Sequence, residues 1–433
     1  MTAAPLESFV SRLVGVVPDV HELTRGAGEP SLIRFACRPP VSRRLLGCSL
    51  AHLDGASGGA GLDRDVARAA AVGEILERYS ATHVPGSMVL ASAAELAGSP
   101  DPATFALFAP EQYDEPGFPF APFDRETMLG WVPALSLPER RPTWLPTQLA
   151  LLVGRVAPSE SPIAQQTSSG LACGASFEEA ALSALYEVLE RDAFMLAWSN
   201  RLELPLIPWE GEAALAAVGR RLLGSARVSV ATVDASCFWG VPTVIAVVQG
   251  RPGDGAALAV GAAACATVEH AWSKAVAEAC CVRIWLLHLR RHEPWQVPLE
   301  PSDVRDFPDH VRFHADAENA RRASFLWGSS QRTRAAAIEP VRELSAAAEL
   351  DGLCRRIVAR GYRVLAADVT APDVAAGGLK VVRVAVPGLV ALDADHRARY
   401  LGGPRILEAA VELGLRDSPL RRDQLNSDPH PFP

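Results

Sequence analysis

The sequence predicts an α+β fold in which mixed or antiparallel sheets pack against helices. Three long stretches place apolar side chains at helical spacing: 62–80, 176–198 and 267–289. Three shorter runs of apolar residues, the first two rich in β-branched side chains, predict strands: 228–235, 241–249 and 257–263. The GRPGDG segment between the last two runs predicts a hairpin turn, which joins antiparallel strands.

The stretch SSGLACGASFEEAALSALYEVLERDAFMLAW, residues 168–198, is the element around which the rest of the chain is organised. Ser176 and Glu179 have the spacing of a capping box, so we expect a helix to begin there. The helix carries an apolar stripe on one face. Glu187 and Glu190 lie one turn apart on the other, where like charges repel. A divalent cation between the two carboxylates would explain this arrangement.

The same E-x-x-E-R pattern occurs twice. Glu74, Glu77 and Arg78 repeat it on an Ala-rich helix that Asp63 is placed to cap. Either copy alone could be an ordinary solvated helix face. The two copies together favour a site, in which four carboxylates on two facing helices would suit Mg²⁺ and phosphate oxygens.

The bulk properties restrict the class of protein. A chain of 433 residues with a net charge of −8 can form one large domain or several, and its charge argues against nucleic acid as the main partner. The N-terminus resembles no signal peptide, and no apolar run is long enough to span a bilayer. The eight cysteines include no C-x-x-C pair. We therefore expect a cytoplasmic protein with reduced thiols.

The remaining segments predict less regular structure. Residues 1–60 suggest strands and loops, with a strand at 31–37 and a flexible glycine entry to the first helix at 58–61. Residues 85–127 form a Pro- and Phe-rich surface excursion, either a plain loop or a partner contact. We expect a strand at 144–153 and further strands at 363–369 and 379–386, with a helix at 341–360. The tail, 423–433, alternates prolines and favours an extended form, although a disordered end is the alternative.

These motifs resemble the YcaO-domain family, specifically its azoline-forming cyclodehydratase branch, the D protein of thiazole/oxazole-modified peptide biosynthesis. The matching stretches are A-x-x-x-E-x-x-E-R at 70–78, S-G-L-A-x-G with E-E-A and E-x-x-E-R-D at 169–192, VTAPDVAAGGLKVVRVAVPGL at 369–389, and the closing PHPFP. The resemblance implies a single YcaO-like domain over 1–433, with its sheets and helices around a central nucleotide site that binds ATP and Mg²⁺.

The resemblance also assigns candidate ligands. It implies that Mg²⁺ is held by Glu74, Glu77, Glu187 and Glu190. It implies that the nucleotide is contacted by Glu179, Arg191, Lys274, Glu278, Arg78 and Arg283. Three positions depart from the family pattern: Ala60, Ala175 and Cys281. Lys274 and Glu278 stand four residues apart, so a surface ion pair is the alternative explanation for them.

Two features near the C-terminal half concern histidine and proline. His310 and His314 stand four residues apart, the spacing of a metal pair, but no further ligands lie nearby in the sequence, which argues against a metal. Pro429, Pro431 and Pro433 form the terminal P-x-P-x-P that the azoline-forming branch shares, and there the tail is implicated near the active site. Candidates for proton transfer are the carboxylate of Pro433 and His430.

The resemblance implies a reaction and partners. A Cys, Ser or Thr side chain of a precursor peptide would attack the preceding amide, and ATP would phosphorylate the amide oxygen, leaving a thiazoline or oxazoline. The expected partners are the precursor peptide, a separate E1-like leader-binding protein, a flavin-dependent azoline dehydrogenase and a second copy in a homodimer. The alternatives are thioamide or amidine formation by the same ATP chemistry, and a non-catalytic nucleotide-binding scaffold that docks the peptide.

Overall fold

The computed structural model describes residues 6–26, 28–38, 57–224, 226–251 and 253–432. Its contacts divide the chain into two units. The first comprises the described residues of Met1–Thr24, Ile33–Val188 and Glu343–Leu389; the second comprises those of Arg25–Leu32, Leu189–Arg342 and Val390–Pro433. Each unit is assembled from segments that are distant in the sequence. A single domain over 1–433 stays a prediction.

The secondary structure mixes short strands with helices of very different lengths. The strands are β1 Asp19–Glu22, β2 Ile33–Arg38, β3 Ser57–Gly61, β4 Val89–Ala91, β5 Leu129–Leu137, β6 Arg141–Pro146, β7 Leu171–Gly174, β8 Ser229–Asp234, β9 Thr243–Gln249, β10 Leu258–Ala264, β11 Val364–Asp368 and β12 Lys380–Ala385. The helices are α1 Arg64–Ala81, α2 Pro110–Tyr113, α3 Thr147–Ala150, α4 Phe177–Ser199, α5 Ala213–Leu223, α6 Val268–His292, α7 Phe307–Phe313, α8 Ala317–Arg321, α9 Phe325–Gly328, α10 Ala346–Ala359, α11 Pro372–Ala376 and α12 Arg405–Glu412.

The first unit contains two antiparallel sheets. One has the order β1-β2-β3, and the other has the order β4-β5-β11-β12-β7 with β6 added against β5. Helix α1 packs on β2, β3 and β7. Its buried residues Ala71, Val72, Ile75 and Leu76 join a core with side chains from both sheets. This packing fixes the face of α1 that carries Glu74 and Glu77.

The second unit contains the antiparallel sheet β10-β9-β8. The long helix α6 packs along β9 and β10, and α5 packs against α6. All seven residues of β10 are buried, as expected of a strand covered by a helix. The α+β class with antiparallel sheets is therefore confirmed.

Local signals in the sequence located the long helices correctly. The Asp63 carboxylate accepts a hydrogen bond from the Val66 N–H at 3.0 Å, and α1 begins at Arg64. The Ser176 hydroxyl accepts one from the Glu179 N–H at 3.2 Å, and α4 begins at Phe177. The predicted helix at 267–289 is α6, which Thr267 caps.

Three local predictions need correction. The predicted strand at 144–153 ends early, because β6 stops at Pro146 and the short helix α3 follows. The glycine segment 58–61 is not a flexible entry but belongs to strand β3. The excursion 85–127 is more ordered than a plain loop, since β4 pairs with β5 and the buried ring of Phe108 stacks on Phe120.

Candidate active site

Three edge strands each present a backbone N–H to a helix carboxylate. The strands β3, β7 and β10 lie at the edges of their sheets, so one side of each strand has no strand partner. In the first unit, Gly58 N donates to Glu74 Oε2 at 2.9 Å and Cys173 N donates to Glu77 Oε1 at 2.9 Å. Each bond satisfies an edge N–H and fixes one carboxylate oxygen.

The first unit brings together three of the predicted metal ligands. Burial is the main cause of the raised pKa of Glu74, and the nearby charge of Glu187 raises this pKa further. Burial raises the pKa of Glu77 to about 8; the Cys173 N–H lowers it in part, and the charges of Glu74 and Glu187 raise it further. Arg78 pairs with Glu74 and offsets part of this repulsion. Crowded, half-buried carboxylates of this kind fit a divalent cation, which would remove the repulsion.

The fourth predicted ligand, Glu190, lies in the second unit, and its place beside the other three stays a prediction. There its buried Oε2 accepts a hydrogen bond from Ala264 N of β10 at 3.3 Å. Glu278 Oε2 accepts one from Ala262 N of the same strand at 2.9 Å. The guanidinium of Arg191 lies 3.3 Å from Glu190 and 4.0 Å from Glu278. The second unit therefore holds one arginine between two acids that an edge strand positions.

Glycines that the sequence analysis did not explain allow these contacts. A Cβ on Gly59 would lie 2.1 Å from Ala67 O, and one on Gly261 would lie 2.5 Å from Ala279 N. Backbone atoms cannot give way at such distances, so only glycine lets each edge strand approach the helix that follows it. The sequence shows this feature as a glycine in a strand that comes just before a capped helix. A glycine inside a strand often marks a close approach of another backbone.

The remaining predicted nucleotide contacts have varied surroundings. Glu179 Oε2 accepts the Ala175 N–H at 3.2 Å, so its carboxylate is engaged in the helix-start turn. Lys274 is exposed on α6, one turn before Glu278. Arg283 is buried and pairs with Asp254 at 2.7 Å, which directs it to the hairpin turn. These three assignments stay predictions.

The three departures from the family pattern lie close to these contacts. Ala60 is a half-buried residue of β3. Ala175 is exposed and uses its N–H for Glu179. Cys281 is half-buried on α6, three residues after Glu278.

Most of the tail from Leu425 to Phe432 is buried, whereas Asp423, Gln424 and Ser427 are exposed. Asn426, Asp428, His430 and Phe432 are each at most 4% exposed. The ring of His430 lies with Nε2 2.8 Å from Asp393 O, and its Nδ1 accepts the Phe432 N–H at 3.3 Å. Burial lowers the pKa of His430. Both ring nitrogens are thus occupied inside the protein, which gives His430 a structural role and leaves it poorly placed for proton transfer. Pro433 lies outside the described residues.

His310 and His314 do not converge on one metal. His314 Nε2 donates to Pro429 O at 2.7 Å, while the ring of His310 lies between His430 O and Ala394 O. His310, Asp393 and His430 do bring possible ligand atoms within 4.8 Å of one another. The nitrogens of both rings, however, already face backbone partners.

Comparison with known proteins places the chain in a family. The model of the YcaO cyclodehydratase family, described as ATP- and Mg²⁺-binding, matches residues 58–390. No curated protein matches the sequence at a significant level. Among the described residues, no helix is both long and apolar enough to cross a bilayer.

Three solved structures share the fold. A heterocyclase in complex with substrate and cofactor is 24% identical with a TM-score of 0.82, and the match covers 100% of this chain and 58% of that one. The heterocyclase TruD is 26% identical with a TM-score of 0.64, covering 84% of this chain and 50% of that one. YcaO from Methanopyrus kandleri, bound with AMPPCP and Mg²⁺, is 20% identical with a TM-score of 0.62, covering 88% of each chain.

The chain therefore belongs to the YcaO cyclodehydratase family, an ATP-dependent enzyme family, as its motifs predicted. ATP and Mg²⁺ are accordingly its cofactors. The chain spans just over half the length of the two heterocyclases it matches.

Proposed function

We propose that this protein is an ATP-dependent cyclodehydratase that converts Cys, Ser or Thr residues of a precursor peptide into thiazoline or oxazoline rings. The thiol or hydroxyl of the peptide attacks the preceding amide carbon and loses its proton. The oxygen of that amide takes the γ-phosphoryl group, and ADP is released. The attack has already closed the ring. The bond between the former amide carbon and its oxygen then breaks, phosphate leaves with that oxygen, the nitrogen loses its proton, and a C=N bond forms within the ring. The net change in the peptide is the loss of one water.

The observation that carries this proposal is the cluster of Glu74, Glu77 and Glu187. Burial, with a smaller contribution from the neighbouring acids, raises the pKa values of Glu74 and Glu77, as expected of carboxylates that hold a cation. Mg²⁺ bound there would neutralise the charge of the transferring phosphoryl group. The β3 and β7 N–H groups fix one oxygen each of Glu74 and Glu77. In Glu77 the other oxygen is left to meet the metal.

In the second unit we assign Arg191, Lys274 and Glu278 to the nucleotide. Arg191 is a permanent cation held between Glu190 and Glu278, and guanidinium groups suit phosphate oxygens. Glu278 is fixed by the Ala262 N–H and can also accept a hydrogen bond from a ribose or base. The carboxylate of Pro433 remains our candidate for proton transfer, and His430 is not carried into the mechanism because its nitrogens are occupied.

We further propose a separate E1-like partner protein that captures the leader of the precursor peptide and stimulates ATP hydrolysis. A heterocyclase with this fold is described in complex with substrate and cofactor. That the substrate of this chain is a precursor peptide is part of our proposal. The flavin-dependent dehydrogenase and the homodimer are proposals that rest on the family resemblance alone.

The test combines two readouts on the purified chain with Mg·ATP, a Cys-rich precursor peptide and the partner. We expect peptide-dependent phosphate release together with the loss of one water per ring by mass spectrometry. Exchange of oxygen for sulfur in the peptide would indicate thioamide formation. If fragmentation shows that the ring was formed by an amine of the peptide, the product is an amidine. Glu77→Gln and Glu278→Gln should abolish phosphate release. The control Glu269→Gln, an exposed residue on the same helix as Glu278, should leave it unchanged. Unchanged release in Glu77→Gln would refute the assignment of the metal site.

A further inference from the structure

Four consecutive carbonyl groups of the C-terminal tail each lie against a side-chain nitrogen from elsewhere in the second unit. The pairs are Ser427 O with His396 Nε2 at 3.0 Å, Asp428 O with Trp198 Nε1 at 3.1 Å, Pro429 O with His314 Nε2 at 2.7 Å, and His430 O with His310 Nδ1 at 2.9 Å. A carbonyl oxygen can only accept, so the ring nitrogens of His396, Trp198 and His314 are the donors. His310 faces two carbonyls, His430 O at 2.9 Å and Ala394 O at 3.1 Å, and we assign the single N–H of its neutral ring to the shorter contact. We call these four donors the carbonyl ladder.

The ladder is buried and comes from separate parts of the chain. Trp198 is on α4 and His310 on α7, while His314 follows α7 and His396 lies in a one-turn 3₁₀ helix. None of the four donors is more than 9% exposed. Ser427 is exposed, but Asp428, Pro429 and His430 are buried, so a carbonyl of these three that lost its donor would have no water to replace it. In helices and sheets, backbone carbonyls accept hydrogen bonds from backbone N–H groups. In this tail, four ring side chains donate those hydrogen bonds instead.

The prolines suit a tail whose backbone from Ser427 to His430 is held through its carbonyls. Pro429 and Pro431 have no N–H, so two potential orphan donors are absent from the buried segment. Two of the remaining N–H groups are satisfied within the tail itself, Asp428 N by Asn426 Oδ1 at 3.3 Å and Phe432 N by His430 Nδ1 at 3.3 Å. The alternating prolines therefore match the one-sided way in which the ladder binds the tail.

The side chain of Asp428 anchors the same segment by charge. Its two oxygens pair with Arg201 at 2.9 Å and with Arg322 at 2.8 Å, and the carboxylate is 5% exposed. The register of the tail is thus fixed at one residue by an ion-pair cage and at four by the ladder. A shift by a single residue would break both sets of contacts at once.

The end of the tail contacts Arg191 of the candidate site. The ring of Phe432 is fully buried, with its centroid 4.9 Å from that of Phe194. The guanidinium carbon of Arg191 lies 4.1 Å from the centroid of the Phe432 ring. A cation over an aromatic face is attracted to it, so Phe432 restricts where Arg191 can point.

We propose that His396, Trp198, His314 and His310 are positioning residues that set the depth of the tail and, through Phe432, the orientation of Arg191. The proposal rests on the proposed function only where it gives Arg191 a nucleotide contact. The ladder does not touch the reacting atoms. Its effect on catalysis passes along the tail.

The first measurement is hydrogen exchange of the amides of Asn426, Ser427, Asp428, His430 and Phe432 by mass spectrometry of the intact chain. Trp198→Phe and His314→Leu each remove one donor, and of the two only His314→Leu keeps about the same volume. We expect exchange in this segment to become roughly tenfold faster in either variant, as the loss of one buried hydrogen bond allows. His314→Gln restores an N–H donor and should return exchange towards the wild-type rate. Trp295→Phe and His292→Leu are the matched controls outside the ladder.

The second measurement follows ATP affinity and turnover in the same variants. We expect His314→Leu to weaken ATP binding and to lower kcat by severalfold, with His314→Gln intermediate. Combined with Phe432→Leu, His314→Leu should add almost nothing, because both changes act through the same contact with Arg191. A role confined to stability would instead give additive losses.

The outcomes separate the ladder from the enzyme proposal. Unchanged exchange in Trp198→Phe and His314→Leu would overturn the ladder, whatever the activity. Faster exchange with unchanged ATP affinity and additive double variants would overturn the link to Arg191. If no peptide is cyclised under any condition, the proposed function fails, while exchange and ATP affinity still decide the ladder.

Discussion

Replacing Glu77 by Gln should make the metal-free protein more stable while destroying its activity. The structure supplies the reason. Burial and the nearby Glu74 and Glu187 raise the pKa of Glu77 from 4.5 to about 8, so its ionised form is disfavoured in the folded state. Gln has the same shape, carries no charge and still accepts the Cys173 N–H that Glu77 accepts at 2.9 Å. The substitution therefore removes a penalty without removing the hydrogen bond.

The size of the effect follows from proton linkage. A carboxyl whose pKa is raised on folding contributes its full stability below pH 4.5, and that contribution is lost as the pH rises to about 8. At pH 7 the unfolded chain has gained about 3 kcal/mol from ionising Glu77, which the folded chain does not share. For a chain of 433 residues this corresponds to an increase in Tm of roughly 3 °C in the variant.

This reasoning can be tested by thermal unfolding of the wild type and Glu77→Gln between pH 4.5 and 8. The measurement is made first in EDTA and then with Mg²⁺ and a non-hydrolysable ATP analogue. In EDTA the variant should be the more stable protein, by a margin that grows with pH. With Mg²⁺ and nucleotide the wild type should gain stability through binding and the variant should gain little. A variant that is less stable than wild type in EDTA at pH 7 would refute the account of the carboxylate cluster.

Three further predictions concern stability. Asp428→Asn removes the charge of a buried carboxylate that pairs with two half-exposed arginines, and it should lower the free energy of unfolding by denaturant by about 2 kcal/mol. The control Asp423→Asn breaks an exposed pair and should not change that free energy measurably. Equal effects of the two variants would contradict the role of burial. Gly261→Ala places a Cβ 2.5 Å from a backbone nitrogen and should lower stability by about 2 kcal/mol, while Gly352→Ala, on a helix with open space around it, should raise stability by up to about 1 kcal/mol. Burial lowers the pKa of His314 from 6.5 to about 4, so the unfolded chain binds a proton that the folded chain excludes, and about 3 kcal/mol should be lost as the pH falls from 6.5 to 4. The Tm of His314→Gln should fall less steeply over the same range, and parallel curves would argue against this assignment.

The parts of the structure that the sequence predicted well are those set by neighbours along the chain. The caps at Asp63, Ser176 and Thr267 each act within one helical turn, and the helices begin where those residues stand. The strand at 144–153 was wrong because an apolar run of that length suits a buried helix turn as well as a strand, and tertiary packing chose between them.

The sequence proposed residues for the candidate site but not their surroundings. The E-x-x-E-R repeats singled out the acids as candidates, and the first unit brings Glu74 and Glu77 close to Glu187. Nothing in the pattern indicated that edge strands would hold these acids, because the N–H of Cys173 and the carboxylate of Glu77 are 96 residues apart. A pattern of residue types cannot specify which distant backbone group will satisfy a side chain.

By itself, the sequence determined where the long helices begin, and it supplied predictions of which side chains bind a metal-bound nucleotide and of an extended tail. Each of these depends on interactions over a few residues, whose energies hardly change with the rest of the fold. Only the tertiary structure decided that the tail is buried and which donors its carbonyls meet, since Trp198 and Asp428 are 230 residues apart. Such contacts form only after the core has closed, when each buried polar group has to find a partner among the side chains that packing has brought to it.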